Sequence, residues 1–247
     1  MQRIHLSASD IHHSKAQIQP ETHHHLFTVC KLQKQDNIEI VVDSTRLLTC
    51  EILSIFPTAF EFKIIDQFSI KSTRNIPITI IQSLPKQDKL TTVCKLCTET
   101  GVSNIYPVIT DYCSQLQLSD HKFKRILNGI ESAAKQSKQT QIPSIHKLSS
   151  LKECLLSLDL TDTHLNLVAF EGSDRQLSSI IQSCDFQYIT IAIGPEGGFS
   201  NNDILTFQSF GFLPFSLGAS ILRTEHAGFA AINYLDGYLH ASNELTT

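Results

Sequence analysis

The sequence has no apolar run approaching the ~20 residues that a membrane-spanning helix requires. Its first ten residues, MQRIHLSASD, lack the apolar centre of a secretory signal peptide. A hydrophobic fraction of 41% and a charged fraction of 18% exclude a disordered chain. The 247 residues have room for one large domain or two modest ones. We therefore expect a cytoplasmic, globular protein.

The cysteines do not form a recognisable disulfide or metal framework. There are seven, an odd number, and their scatter fits a reducing compartment. Cys94 and Cys97 form a lone CxxC, and no second pair completes a zinc site. The consecutive residues His23, His24 and His25 would point in different directions on a helix, so they do not chelate from one face. We expect no metal, and we expect both CxxC cysteines to be buried structural residues.

The net charge of −4 is unevenly distributed along the chain. Residues 74–150 carry ten Lys and Arg against five Asp and Glu, whereas residues 151–247 carry three against eleven. The basic middle of the chain permits a local phosphate-binding face. The same lysines equally fit solvated helix surfaces, and the charge alone leaves both interpretations open.

Hydrophobic patterning divides the chain into two parts. In the first part, β-forming segments at 37–44, 46–56 and 59–66 indicate a small β-barrel or sandwich. The charged stretch Asp66–Asn75 reads as a linker. Strands then alternate with helices, which indicates a parallel sheet covered on both faces. The strands are expected at 76–84, 104–110, 164–170, 188–194 and 212–218, and the helices at 88–101, 119–138 and 224–239.

Two strands end in glycine-marked turns, in the segments IAIGPEGGFS (191–200) and SLGASILRTEHAG (216–228). Open α/β sheets bind ligands at the carboxyl ends of their strands. The first segment has neither a P-loop lysine nor a GxGxxG pattern. Its proline removes a donor, and its glycines permit close approach of the backbone, so it suits a nucleoside held by main-chain groups. Ser200 with Asp203 three residues later predicts a helix start.

The second glycine-marked turn is followed by charged side chains. Arg223 and Glu225 stand together at a predicted helix start, where they could orient a polar substrate and stabilise charge developing on it. A structural ion pair at the helix N-terminus explains them equally well. His226 fits either a general base or a helix-start residue without a role.

The segments IGPEGGFS and SLGASILRTEHA resemble the paired signature of the bacterial 16S rRNA (uracil-N3)-methyltransferase family of the SPOUT superfamily. THHHLFTVCKL, TETGVSNIYPVIT and AAKQSKQTQIPSI resemble further family segments, so the resemblance covers nearly the whole chain. It implies S-adenosylmethionine-dependent methylation of N3 of a uridine in the decoding region of 16S rRNA in the small ribosomal subunit.

The resemblance also implies an architecture. Residues 1–72 would form a PUA-like β-barrel that helps to grip the rRNA. Residues 73–247 would form a trefoil-knotted, parallel-sheet methyltransferase domain of the α/β class. The chain would act as a homodimer whose active site draws on both subunits.

Site residues follow from the same resemblance. The S-adenosylmethionine site would consist of Ile193, Gly194, Pro195, Gly197, Gly198, Leu217, Gly218, Ile221 and Leu222. Arg223 would stabilise charge on the uracil oxygens, and Glu225 or Glu196 would accept the N3 proton or orient the base. Contacts to RNA are expected from Arg3, His25, Lys31 and Lys138.

Several cations of the family pattern are replaced in this chain. Leu96 stands at a lysine position, and Gln139 and Ser220 stand at arginine positions. Lys31 replaces another arginine, and lysine does not reproduce the bidentate contacts of arginine. These changes motivate a second hypothesis, a catalytically impaired rRNA-binding relative that retains the knotted cofactor site. A third hypothesis is an unrelated nucleotide-binding α/β enzyme.

Overall fold

The structure, a computed structural model, describes residues 1–70, 76–183 and 186–244, with side chains through residue 239. The internal contacts divide the chain into two compact units. The N-terminal unit comprises Met1–Thr73 and Ala134–Gln141, and the C-terminal unit comprises Arg74–Ala133 and Ile142–Thr247. The boundary expected between residues 72 and 73 lies outside the described residues.

Six strands build the N-terminal unit: β1 (Gln2–Leu6), β2 (Ile11–His12), β3 (Lys15–Gln17), β4 (Asn37–Val42), β5 (Arg46–Phe56) and β6 (Ala59–Ser69). They form one sheet in the order β1-β4-β5-β6-β3-β2. β1 pairs with β4 in parallel, and the other neighbouring pairs are antiparallel. A 3₁₀ turn (Ala8–Asp10) precedes β2, and helix α1 (Pro20–His24) continues into a π-helical turn (His25–Val29). The three strands expected in this region are confirmed as β4, β5 and β6.

The hairpin of β5 and β6 extends into the segment expected to be a linker. Buried and more exposed residues alternate along β5, as in a strand with one face on the core. β6 remains paired with β5 down to Ser69, which lies opposite Arg46. Because this pairing satisfies the backbone, residues 66–69 stay extended although their side chains are polar or exposed. The linker expected over 66–75 was therefore wrong for 66–69, and residues 71–75 lie outside the described residues.

Seven parallel strands form the sheet of the C-terminal unit: β7 (Ile78–Ser83), β8 (Asn104–Ile109), β9 (Ser144–Ile145), β10 (Ser149–Ser150), β11 (His164–Ala169), β12 (Tyr188–Ile193) and β13 (Leu213–Phe215). Their order is β10-β8-β7-β12-β11-β13, with β9 paired to β8. Every described pairing is parallel. The predicted parallel sheet of an α/β protein is confirmed.

Helices cover both faces of this sheet: α2 (Lys89–Glu99), α3 (Asp120–Gln136), α4 (Leu151–Ser157), α5 (Leu177–Gln182), α6 (Asn201–Ser209) and α7 (Thr224–Glu244). Alternate residues of β7 enter different cores, since Ile78 and Ile80 join one cluster and Ile81 joins the other. A strand buried on both faces reads as a continuous apolar run, which is the pattern of the sequence ITIIQS. The predicted helices at 88–101, 119–138 and 224–239 are confirmed as α2, α3 and α7.

The CxxC pair lies in the core, as expected for structural cysteines. Cys94 and Cys97 are buried in α2 among apolar neighbours. Burial raises the pKa of the Cys97 thiol to about 12, so this thiol stays protonated at neutral pH. Within residues 1–70, 76–183 and 186–244, no cluster of three or more His, Cys, Asp or Glu is arranged to hold a metal ion. None of the helices described there combines the length and apolar character of a membrane span.

Candidate functional site

A crevice of about 610 Å³ opens where three parallel strands of the C-terminal unit end. Three loops supply most of its walls: the first glycine loop (194–199) after β12, the second glycine loop (216–223) after β13, and residues 170–171 after β11. The first turn of α7 and Lys89, the first residue of α2, complete the lining. This position agrees with the rule that α/β sheets bind ligands at the carboxyl ends of their strands.

The first glycine loop folds back on itself. A Cβ atom added at Gly194 would lie 3.1 Å from the carbonyl carbon of Gly198, so a side chain there would strain the loop. Gly198 has a φ of +71°, in the left-handed region that favours glycine. Its N–H donates to the carbonyl of Pro195 at 3.0 Å and closes the turn. The glycines therefore leave backbone of this loop accessible to the crevice, beside Pro195, Glu196 and Phe199.

Helix α6 begins immediately after this loop with the predicted capping box. Asp203 N–H donates to Ser200 Oγ, and Ser200 N–H donates to Asp203 Oδ2, each at 3.0 Å. Ser200 Oγ also donates to Asp111 Oδ2 at 2.6 Å, which ties the loop after β8 to the start of α6. The capping box and the bond to Asp111 therefore both hold the end of the first glycine loop in place.

The second glycine loop is more open than the first. Gly218 has a φ of +117°, and an added Cβ would meet no atom within 4 Å, so this position requires glycine for its backbone conformation. Ile221 is 84% exposed although it lines the crevice, and Leu222 is also exposed. Apolar side chains of this size and exposure are available to contact a ligand or a second protein.

A buried hydrogen-bond chain connects the crevice walls. Thr224 Oγ1 donates to the carbonyl of Gly194 at 2.6 Å and accepts from Gln82 Nε2 at 3.0 Å. Gln82 is the fifth residue of β7 and is fully buried. Residues from three separate segments of the chain therefore meet at one hydroxyl group.

Lys89 lies between the two carboxylates singled out in the sequence. Its Nζ is 3.0 Å from Glu196 Oε1 and 3.4 Å from Glu225 Oε2. The backbone N–H of Lys86 also donates to both carboxylate oxygens of Glu196, at 3.2 Å each. This lysine joins the first glycine loop, α2 and α7 electrostatically.

The ammonium of Lys89 holds both carboxylates in the ionised form. Burial alone would raise the pKa of Glu196, but hydrogen bonds from Lys89 and the backbone outweigh it and lower the pKa. The pKa of Glu225 is likewise lowered, since its backbone N–H bond and Lys89 outweigh burial. Hydrogen bonding to Glu196 in turn raises the pKa of Lys89. All three groups are therefore charged at neutral pH.

The remaining charged candidates stand at the start of α7. Arg223 lines the crevice and is exposed, and its carbonyl accepts from the backbone of Ala227 at 3.0 Å. Among the residues that the structure describes, no carboxylate forms an ion pair with the Arg223 guanidinium, so the alternative of a structural pair with Glu225 is not observed there. His226 is exposed and does not line the crevice.

The structure brings most of the predicted cofactor residues together. The crevice lining includes Ile193, Gly194, Pro195, Gly198, Leu217, Gly218, Ile221 and Leu222. Gly197 is outside this lining and lies against Tyr112, whose Cβ is 3.3 Å from the position of an added Cβ. Of the predicted catalytic residues, Arg223 and Glu196 line the crevice. Glu225 does not line it, but forms an ion pair with Lys89, which does.

Sequence reasoning missed several lining residues. Lys89, Ala169, Phe170, Glu171, Ser216 and Thr224 were not among the candidates. The segment AFEG after β11 carried a usable signal, because it is a third strand end followed by a glycine in the same parallel sheet. Nothing in the sequence pairs Lys89 with two carboxylates more than 100 residues away.

The expected RNA contacts all fall in the N-terminal unit. The side chain of Arg3 is only 8% exposed and binds Glu39 at 2.8 Å and the carbonyl of Lys138. His25 is exposed, with Nε2 3.4 Å from the Cys30 sulfur. Lys31 and Lys138 are exposed, and both have positive φ. Arg3 therefore holds its own unit together rather than projecting into solvent.

Comparison with known proteins agrees with this geometry. The RNA methyltransferase domain family matches residues 71–236. The chain is similar to the ribosomal RNA small subunit methyltransferase E of Rickettsia conorii, with 27% identity over 234 residues and 93% coverage of each chain. It is also similar to the enzyme of that name from Bacillus subtilis, with 27% identity over 220 residues and 85% coverage of each.

The fold is shared with a solved structure. A ribosomal RNA small subunit methyltransferase E from Neisseria gonorrhoeae, bound to S-adenosyl methionine, superposes with a TM-score of 0.83 at 23% identity. The match covers 96% of this chain and 97% of that one. The resemblance stated from the glycine-marked segments is thus confirmed at the level of the domain: the chain belongs to the family of RNA methyltransferase domains.

Proposed function

We propose that this protein transfers a methyl group from S-adenosylmethionine to N3 of a uridine in the decoding region of 16S rRNA. The observation that carries the proposal is the crevice between the two glycine loops, in a chain of the RNA methyltransferase family. Similar proteins from several bacteria bear the name of a small-subunit rRNA methyltransferase. A ribosomal substrate implies that the protein acts in the cytoplasm.

The residues of the crevice fit S-adenosylmethionine. Its volume of about 610 Å³ suits a nucleoside carrying an amino-acid tail. The glycine loops offer main-chain donors and acceptors, and Leu217, Ile221 and Leu222 offer apolar surface. A side chain at Gly194 would meet Gly198, so glycine there preserves the fold of the loop that lines the crevice. When bound, S-adenosylmethionine supplies an electrophilic methyl group on a sulfonium sulfur.

Arg223 is the residue best placed to stabilise negative charge. Methylation at N3 requires loss of the N3 proton, and the resulting charge spreads onto the uracil oxygens. The Arg223 guanidinium lines the crevice and is not neutralised by a described carboxylate. A preorganised cation at the position where charge develops lowers the barrier. We therefore assign the stabilising role to Arg223.

Glu196 and Glu225 differ in how each could receive the N3–H group. Both oxygens of Glu196 already accept hydrogen bonds from the Lys86 backbone, and one also binds Lys89. Oε2 of Glu225 is buried and pairs with Lys89 Nζ at 3.4 Å, and Glu225 itself does not line the crevice. The 3.4 Å contact is long for a hydrogen bond, so this oxygen can still accept from a substrate N–H once the Lys89 side chain exposes it. Contact with N3–H is therefore open to either carboxylate, to Glu196 from the crevice wall or to Glu225 by displacing Lys89.

The finer features of the expected fold belong to the same proposal. The six-stranded, mostly antiparallel sheet of the N-terminal unit supports a PUA-like RNA-binding barrel over residues 1–72. The bond between Thr224 and the carbonyl of Gly194 supports close passage of the two glycine loops, which a trefoil knot over residues 73–247 requires. Tracing the backbone for a closed knot in a crystal structure is the direct test.

We propose that the N-terminal unit contacts rRNA through His25, Lys31 and Lys138. These three side chains are exposed in one unit, and lysine ammonium groups bind phosphate without sequence preference. Arg3 supports this surface indirectly, because it binds the carbonyl of Lys138.

We also propose a homodimer. Large apolar side chains are exposed on the unit that holds the crevice, among them Ile221 and Tyr234. Exposed apolar groups of this kind mark protein interfaces. Light scattering should give about twice the chain mass of 27.6 kDa.

Methyl transfer to the small ribosomal subunit tests the activity. Purified protein is incubated with methyl-labelled S-adenosylmethionine and small subunits from cells that lack the protein, and modified uridines are mapped by mass spectrometry. Label on N3 of a decoding-region uridine is expected. Binding of the cofactor without methyl transfer at any protein concentration would instead favour the catalytically impaired rRNA-binding relative. That alternative is motivated by Leu96, Gln139 and Ser220, which replace cations of the family pattern.

A further inference from the structure

Gln82 and Thr224 form a hydrogen-bond chain behind the crevice that the proposed chemistry does not use. Gln82 Nε2 donates to Thr224 Oγ1 at 3.0 Å, and Thr224 Oγ1 donates to the Gly194 carbonyl at 2.6 Å. Gly194 begins the first glycine loop, and Thr224 directly follows the second. The chain therefore joins both loops to the end of β7.

The direction of each bond is fixed by its partners. Gln82 Nε2 also donates to the carbonyl of Ser83 at 2.9 Å, and a carbonyl can only accept. The amide nitrogen must therefore face both Ser83 and Thr224, so the Thr224 hydroxyl receives one proton and directs its own to Gly194. A hydroxyl that both donates and accepts in buried surroundings holds a single orientation.

Burying the Gln82 amide in strand β7 costs stability. The residue is fully buried in a strand whose neighbours include Ile80 and Ile81, and its Oε1 has no partner among the described residues. An apolar side chain of similar size would avoid the unpaired oxygen. A buried amide with an unpaired oxygen in an apolar strand lowers stability without improving the packing, and such residues are typically kept for function.

We propose that Gln82 and Thr224 are positioning residues that hold the two glycine loops at the separation S-adenosylmethionine binding requires. The proposal rests on the proposed function, because it concerns the ligand of the same crevice. Without the Thr224 hydroxyl, the Gly194 carbonyl loses its donor and the loops are free to move apart. Ligand binding must then order them, which costs affinity.

Calorimetric titration with S-adenosylhomocysteine tests this assignment. Thr224→Val and Gln82→Met should each weaken binding about tenfold, the scale of one lost hydrogen bond. Thr224→Ser keeps the hydroxyl and should bind like the wild type. The double variant should bind no more weakly than either single variant, because both changes break one chain.

Thr98→Val is the matched control. Thr98 is buried in α2 outside the crevice lining, and its hydroxyl donates to the Cys94 carbonyl at 2.6 Å. The substitution removes the same kind of bond, so it should lower Tm without changing the affinity for S-adenosylhomocysteine.

Three outcomes would overturn the inference. If the wild type binds S-adenosylhomocysteine and Thr224→Val with Gln82→Met bind it equally well, the positioning role is wrong and the proposed function stands. Equal losses of affinity in Thr98→Val and Thr224→Val would show general destabilisation instead. A wild type that binds none of this ligand would overturn the proposed function and the positioning role together.

Discussion

The buried Oε2 oxygen of Glu225 lies 3.4 Å from Nζ of Lys89 and accepts no hydrogen bond from the described residues. The nearby ammonium keeps this carboxylate ionised while one acceptor position stays unused. A carboxylate of lowered pKa is a weak base, so its contribution is to hold an N–H group in place rather than to remove the proton unaided. Stabilisation of the developing charge must then come from a cation, and Arg223 is in the crevice.

Replacing Lys89 with methionine should change how the stability and the activity of the protein depend on pH, compared with the wild type. The pKa values of Glu196 and Glu225 are lowered in the folded chain, so their contribution is present above the ordinary carboxyl pKa of about 4.3 and disappears as pH falls through the lowered values. The Tm difference between wild type and Lys89→Met should therefore be larger at neutral pH than at acid pH.

Methyl transfer measured against pH gives the second readout for Lys89→Met. Without the ammonium, the pKa of both carboxylates rises, and the acid limb of the activity profile should move to higher pH. Lys95→Met is the control, because Lys95 is an exposed lysine of the same helix outside the crevice. An unchanged acid limb in Lys89→Met would contradict the role given to Lys89 in keeping Glu196 and Glu225 ionised.

Arg223→Ala should lower the rate of methyl transfer about 10²–10³-fold, the usual effect of removing one group that stabilises developing charge. Affinity for S-adenosylhomocysteine should change far less, because the glycine loops and the apolar lining that we propose to hold it stay unchanged. Arg175→Ala, a change at another exposed arginine of the same unit, should leave the rate unaltered. Wild-type transfer by Arg223→Ala, with the cofactor still bound, would refute the assignment.

Gly194→Ala should weaken binding of S-adenosylhomocysteine by roughly 10- to 100-fold. The new methyl group would lie 3.1 Å from the Gly198 backbone, so the first glycine loop would have to shift to accommodate it. Strain of this kind typically costs about 1–3 kcal/mol. Gly237→Ala provides the contrast, since an added Cβ there meets nothing within 4 Å, and alanine favours the α7 helix by about 0.5–1 kcal/mol. Calorimetry and thermal unfolding of both variants measure the difference.

The sequence was informative where one local pattern determines the structure. Alternation of strands and helices predicted the parallel sheet, and the pair Ser200 and Asp203 predicted the start of α6. Glycines after β12 and β13 predicted most of the crevice, because strand ends in a parallel sheet meet at one edge. These features depend on neighbours in sequence and on a general rule of topology.

What the sequence did not predict depends on contacts between distant residues. Lys89 meets Glu196 and Glu225 only because α2, the first glycine loop and α7 converge. The buried pairing of Arg3 with Glu39 is equally invisible in sequence, where the family resemblance implied that Arg3 contacts RNA. The strand character of 66–69 comes from pairing with β5 and overrides local composition.

Ser200→Ala should destabilise the C-terminal unit more than Ser150→Ala does. Both serines are N-caps with complete capping boxes, at α6 and α4 respectively. Loss of such a cap costs about 0.5–2 kcal/mol. Ser200 is also buried and donates to Asp111, so its loss leaves a second group without its partner, whereas the Ser150 box is exposed. We expect the larger fall in Tm, together with weaker binding of S-adenosylhomocysteine, for Ser200→Ala alone, because α6 anchors the first glycine loop. Equal falls in Tm with unchanged binding would show that the cap contributes to the helix and not to the crevice.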